Sequence, residues 1–178
     1  MKKIYFNSYF ELTDDVTDGD KTMVRFIDEK RPKYQVGEIV AVAKCYEQTH
    51  YPNIVHQRAI KKYKNTLGWR NKMFVKAELM LDFVRITKIH TERLQDISDE
   101  DCIKEGIRFD PEENIYYLWD MNRFERNISD SPRKLFRYLV NKCVAKGIWE
   151  KNPIVTVYEF ELYDMGHYEK FEMRSPFL

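Results

Sequence analysis

The sequence predicts an α+β fold: a mainly antiparallel sheet or small β-barrel with helices at its periphery. Three observations predict it. Ile39-Val40-Ala41-Val42-Ala43 is a continuous apolar run with the length and composition of a buried strand. Phe83 to Leu94 sets apolar Val84 and Ile86 between Arg85 and Thr87, the two-residue period of a strand with one wet face. The remaining patterned segments are a few capped helices, without the regular βαβ alternation of a doubly wound sheet.

Along the chain, Ile4-Tyr5-Phe6 reads as an edge strand. Thr13 is placed to cap a brief helix holding Leu12 and Val16 on one side, and Gly19 to end it. From Lys21 the chain reads extended, and Lys33 to Glu38 forms the turn into the Ile39 strand. Pro52, Asn65-Thr66 and Gly68 punctuate residues 50–71, predicting a long connection with one helical stretch around His56 to Tyr63. Ser98 caps a helix with Asp101 three residues on, and Gly106 closes it. The clearest helix runs from Pro132 to Lys146: Ser131 or Asp130 caps it, Pro132 fits its first turn and Gly147 its end. Leu135, Phe136, Leu139, Val140, Cys143 and Val144 make its apolar stripe. Ile154 to Leu162, rich in β-branched and aromatic residues, is the last strand. The expected organisation is a single domain over 1–164 with a loosely held tail over 165–178.

Composition narrows the function. Of 178 residues, 43% are hydrophobic and 33% charged, with six Gly and six Pro, a globular balance. No run approaches the roughly 18 apolar residues of a membrane helix, and the Met1-Lys2-Lys3 start has no signal-peptide core, so a cytoplasmic protein without a membrane partner is expected. Cys45, Cys102 and Cys143 are scattered and lack metal-ligand spacing, so neither a disulfide framework nor a metal site is predicted, and no cofactor fingerprint is present. The net charge of +1 gives no general attraction to polyanions, but the charges are segregated. Between Gln48 and Ala77 there is no acid, while Arg58, Lys61, Lys62, Lys64, Arg70, Lys72 and Lys76 supply seven cations. A second acid-free run from Ser131 to Trp149 carries Arg133, Lys134, Arg137, Lys142 and Lys146.

Three strings carry a resemblance. Leu12-Thr13-Asp14-Asp15-Val16-Thr17-Asp18-Gly19-Asp20-Lys21-Thr22-Met23-Val24-Arg25 holds a helix, a G-x-K-T motif and a downstream Arg. Tyr34 to Val42 holds a V-G-E turn and strand. Arg85-Ile86-Thr87, then Glu92-Arg93-Leu94-Gln95-Asp96-Ile97-Ser98-Asp99-Glu100-Asp101, then Lys104-Glu105-Gly106 is the most specific string. Together they resemble the ASCH family of the PUA-like superfamily, in its phage-type and bacterial forms. The resemblance implies a PUA-like β-barrel and an RNA-binding module, with a cleft lined by the G-x-K motif and residues near Glu105. It also implies an alternative, amide hydrolysis on an acylated cytidine, with Lys21 and Glu105 as catalytic residues. The family's Thr three positions after the Lys is Val24 here, which cannot attack a carbonyl. Thr22 would be displaced by ~6–7 Å along an extended chain. A second Arg of many phage relatives is Phe26 here.

The candidate residues follow. Lys21 is read as a base or a grip on phosphate, and Arg25 as a planar fork for phosphate or a base edge, with a salt bridge to a neighbouring acid as its plainer role. Glu105, an anion near a helix C-terminus, calls for a compensating partner. Arg58, Lys61, Lys62, Tyr63, Lys64, Trp69, Arg70 and Lys72 interleave cations with rings on which the bases of single-stranded RNA could stack. The expected partner is RNA or a modified nucleoside. A protein partner contacted through exposed aromatics is the third class.

Overall fold

A computed structural model describes residues 1–27, 33–49, 58 and 61–164. The chain packs as two compact units. The first takes Met1–Phe6, Gly37–Arg85 and, among the described residues, the stretch from Leu162 to Asp164; the second takes Asn7–Val36 and Ile86–Glu161. The tail expected over 165–178 lies outside the described residues, as do most of the residues expected to be helical around His56; Arg58 and Lys61 to Tyr63 are helical.

In the first unit, β1 (Lys3–Ile4) runs parallel to β3 (Ile39–Val42), and β3 pairs antiparallel with the start of β4 (Phe83–Arg93), Val40 opposite Val84. The apolar run of β3 is buried as its composition requires, with Val40 and Ala41 inaccessible. Its core gathers Ala41, Ala43, Tyr46, Tyr63, Val75, Leu79, Met80 and Phe83, with Trp69 packed against it. Two 3-10 turns, Leu67–Trp69 and Lys72–Phe74, lie side by side. Gly68 makes this approach possible: a Cβ there would stand 2.6 Å from the Tyr46 ring and 3.0 Å from the Phe74 carbonyl oxygen.

The second unit joins the remainder of β4 to β8 (Ile154–Tyr163), and β8 to β2 (Met23–Phe26), antiparallel with Val24 opposite Tyr158. Its helices are α1 (Leu12–Asp18), α2 (Asp99–Lys104), α3 (Pro132–Cys143) and α4 (Ile148–Lys151). A three-stranded antiparallel sheet, β5 (Arg108–Asp110), β6 (Ile115–Asp120) and β7 (Glu125–Ser129), packs against α3.

The α+β class and the mainly antiparallel pairing match the expectation, but the sheets are open, so no closed barrel forms among the described residues. Closure requires the edge strands to pair. Here the edges are β1, two residues long, and β2, four residues long.

Other differences have local causes. Thr13 does not cap α1: Glu11 turns the chain with φ 57°, the helix starts at Leu12, and Thr13 is buried inside it. The third helix stops at Cys143, where its stripe runs out onto the surface: Val144 is 51% exposed, and Gly147, φ 77°, opens α4 rather than closing α3. The β6–β7 hairpin was not among the sequence expectations. Its turn is set by Asp120 Oδ1, which accepts from the Asn122 and Arg123 amides at 3.0 and 3.2 Å.

Candidate functional site

Two helix ends build the site. The first helix closes in a Schellman turn at Gly19, φ 88°: the Asp20 amide donates to the Asp15 carbonyl at 2.8 Å and the Gly19 amide to that of Val16 at 3.2 Å. The Lys21 amide also donates to the Asp15 carbonyl, at 3.0 Å, which fixes where its side chain departs. Helix α2, capped by Ser98 Oγ accepting from the Asp101 amide at 3.1 Å, closes the same way at Gly106, φ 103°. There the Ile107 amide donates to the Cys102 carbonyl at 3.2 Å and the Gly106 amide to that of Ile103 at 2.9 Å. The two ends face each other. The Thr22 amide donates to the Lys104 carbonyl at 3.0 Å, and a Cβ on Gly106 would meet the Leu12 side chain at 2.7 Å and Asp15 Oδ2 at 3.1 Å.

Lys21 Nζ thereby reaches both the Glu105 carboxylate, 2.6 Å to Oε2, and the Glu105 carbonyl oxygen, at 2.7 Å. Lys21 is the partner that an anion at a helix C-terminus calls for, and its ammonium also meets an unsatisfied helix carbonyl. The other Glu105 oxygen accepts from Arg25 Nη1 at 3.0 Å. Arg25 further donates from Nε to Glu92 Oε1 at 2.8 Å, and from Nη2 to Asp101 Oδ2 at 3.0 Å. Both cationic side chains are 2% exposed. Burial lowers the Lys21 pKa against the opposing pull of Glu105. For Arg25, burial also favours the neutral form, but Glu105 and Glu92 outweigh it and raise the pKa. Asp15 borders the pair; burial raises its pKa, although Arg108 is bound to its carboxylate.

Lys21 and Glu105 are therefore brought together, as a shared site requires, and Arg25 is in the salt bridge named as its plainer role. Neither cation stands at the surface for a phosphate, and three carboxylates, Glu92, Asp101 and Glu105, already answer the two positive charges. Val24 lies on the strand face opposite Arg25, against Tyr158 across the ladder. Phe26 shares that face and packs with Tyr34 and Tyr158 at ring separations of 6.4 and 5.7 Å.

The 58–72 candidates divide. Arg58, Lys61, Lys62, Lys64 and Arg70 are exposed, the last with Nε 3.3 Å from Glu47 Oε2. Tyr63 is buried, its ring 4.7 Å from that of Tyr46, so it offers no face to a base. Trp69 is half-buried and donates from Nε1 to Glu47 Oε1 at 3.2 Å. Lys72 turns inward and donates to the Phe6 carbonyl. Leu67, Met73 and Phe74, which the sequence reading passed over, are 70%, 60% and 56% exposed among these cations. Their one signal was position: apolar residues at 73 and 74 beyond a helix-breaking stretch, with no period to bury them. Among the described residues no three His, Cys, Asp or Glu side chains converge as a metal would need, and no helix is long and apolar enough to cross a membrane.

The chain is similar to an ASCH domain. The solved structure of that domain, from Lactobacillus crispatus, superposes with a TM-score of 0.42 at 10% identity, over 90% of this chain and 78% of that one. A DUF984 protein from Enterococcus faecalis superposes with a TM-score of 0.47 at 13% identity, over 94% of this chain and 85% of that one. No family model matches the sequence, and no curated protein does. The overall superpositions are loose, and the fold class rests on the strands and helices described above.

Proposed function

We propose that the protein is an RNA-binding module whose backbone contacts come from the acid-free segment between Gln48 and Ala77. One observation carries the reading: Arg58, Lys61, Lys62, Lys64 and Arg70 are exposed on a stretch of chain that contributes no carboxylate of its own. Concentrated positive charge of this kind binds the phosphate backbone and releases its counterions. The ASCH-like strings point to the same class of ligand, and the cytoplasm is the compartment it implies. Lys21 and Arg25, named with these cations by the sequence, are bonded to Glu105, and Arg25 also to Glu92 and Asp101.

The test is equilibrium binding of a short labelled single-stranded RNA at several salt concentrations. Affinity should fall as salt rises. Replacing Lys61, Lys64 and Arg70 together by Gln should flatten the logarithmic slope by about 2, at roughly 0.7 per phosphate contact on single strands. Absence of binding at low salt, or affinity indifferent to salt, would sink the reading.

The buried Lys21 favours a second reading, hydrolysis of an amide on a modified cytidine. Burial that lowers its pKa moves Lys21 toward the neutral amine a general base must be, with Glu105 beside it to take up and return the proton. Val24 supplies no nucleophile, so water would attack. Turnover of an acylated cytidine panel by the wild type, lost in Lys21→Ala, supports this chemistry; equal background rates from both proteins remove it.

A further inference from the structure

The first unit carries an apolar surface that its core does not use. Leu67, Met73 and Phe74 stand 70%, 60% and 56% exposed on the two adjacent 3-10 turns. Exposed apolar groups on a floppy loop would be unremarkable, but this backbone is held from several sides. Asn71 caps the second turn, accepting from the Met73 amide at 3.0 Å, and the Phe74 amide donates to the Asn71 carbonyl at 3.1 Å. Lys3 Nζ binds the Met73 and Val75 carbonyls at 3.2 and 2.6 Å. Lys72 is anchored on the Phe6 carbonyl, and Val75, 3% exposed, plugs the core. The turn is held through its backbone and through the residues on either side of the Met73-Phe74 pair, which leaves that pair exposed on a fixed stretch of backbone. A backbone held in this way need not be ordered when a ligand binds, which lowers the cost of binding.

Lys64, Arg70 and Lys76 flank these residues in the chain and are exposed, the Arg70 side chain 81% so with its Nε 3.3 Å from Glu47 Oε2. An exposed phenyl ring with flanking cations is the pairing that single strands require: a base stacks on the ring while its phosphates meet the charges. A duplex hides its bases in the stack and could use the charges alone.

We infer that Phe74, flanked by Met73 and Leu67, is a stacking platform for an unpaired base, which makes single-stranded RNA the ligand of the basic segment. The inference rests on the RNA-binding reading and adds to it which residue touches the base and which form of RNA is bound.

The experiment measures binding of a labelled single-stranded RNA and of a duplex of equal length, by wild type, Phe74→Ala and Phe74→Tyr, across a salt series. Phe74→Ala should bind the single strand roughly tenfold more weakly, as loss of one stacked base does, with its salt slope unchanged because no phosphate contact is removed. Phe74→Tyr keeps the ring and should bind as wild type. The wild type should prefer the single strand over the duplex. Single-strand binding that is indifferent to Phe74→Ala, or duplex binding as tight as single-strand binding, overturns the platform while leaving the RNA reading standing. Absence of all RNA binding by wild type overturns both. Binding to anionic phosphatidylserine vesicles that depends on Phe74, without RNA binding, also overturns both and assigns the surface to a membrane.

Discussion

Glu105→Gln is the substitution that interrogates the buried network most directly. The carboxylate of Glu105 answers two cations at once, Lys21 at 2.6 Å and Arg25 at 3.0 Å, and both cationic side chains are 2% exposed, so solvent does little to screen the loss. Arg25 keeps Glu92 and Asp101, and Lys21 keeps the Glu105 carbonyl at 2.7 Å. The cost is therefore that of breaking a buried ion pair whose ammonium keeps a hydrogen bond, at the lower end of the range for such a loss, about 3 kcal/mol. That is a large share of the ~5–15 kcal/mol by which a domain is stable. Lys21→Met should cost less, about 1–2 kcal/mol, because Glu105 remains bonded to Arg25. The double variant removes the stranded charge, so it should be less destabilised than the sum of the two by about 1–3 kcal/mol. Urea unfolding followed by far-ultraviolet circular dichroism gives all three values. A Glu105→Gln loss below about 1 kcal/mol, or strict additivity in the double variant, would refute the assignment of Glu105 as the principal counter-charge of Lys21.

Further outcomes follow from the same geometry. Gly106→Ala must place a Cβ 2.7 Å from the Leu12 side chain at φ 103°, and should lower stability by about 2 kcal/mol or more in the same urea assay. Asp15→Asn tests the raised Asp15 pKa. Between the ordinary value of 3.8 and the folded one, the folded protein holds the proton more tightly than the unfolded chain, so the Asp15 contribution to stability declines as pH rises through that window. The stability difference between wild type and Asp15→Asn should shrink from acid toward neutral pH, and a difference that grows would contradict burial as the dominant cause. Asn71→Ala removes the side-chain cap of the Lys72–Phe74 turn and should cost about 1 kcal/mol, read as a lower melting temperature, together with weaker RNA binding as the Phe74 platform loosens.

Much of the fold was legible because its signals are local. The β3 run, the alternation of β4, the Ser98 cap and the glycines at 19 and 106 each report a backbone requirement that neighbours in sequence satisfy, and each is met. The pairing of Lys21 with Glu105 is different in kind. The chain separates them by 84 residues, and the family-like strings, rather than periodicity or spacing, named both. What escaped was decided by tertiary burial. Nothing local distinguishes Tyr63, packed on Tyr46, from Phe74, left outside; both are rings among lysines. The difference lies in Gly68 and Lys3, which set the height and facing of the second turn from elsewhere in the first unit. Arg25 was hardest to place, since a guanidinium suits phosphate and carboxylate equally, and only the position of Glu92 and Asp101 around it decides between them.

That decision has a measurable consequence for how binding should respond to salt. Lys21 and Arg25 are neutralised inside the fold by Glu92, Asp101 and Glu105, so they hold no solution counterions that RNA could displace. Among the described residues, the exposed cations of the acid-free segment are Arg58, Lys61, Lys62, Lys64, Arg70 and Lys76. If each met one phosphate, the logarithmic salt slope would be about −4 on single-stranded RNA, and recruiting the two buried cations as well would take it to nearly −6. A slope no steeper than about −4 therefore agrees with a surface built on the first unit alone. A steeper one would mean that cations outside this segment join the contact, Lys21 and Arg25 among them only if the buried network opens and Glu105 gives up both of its cationic partners.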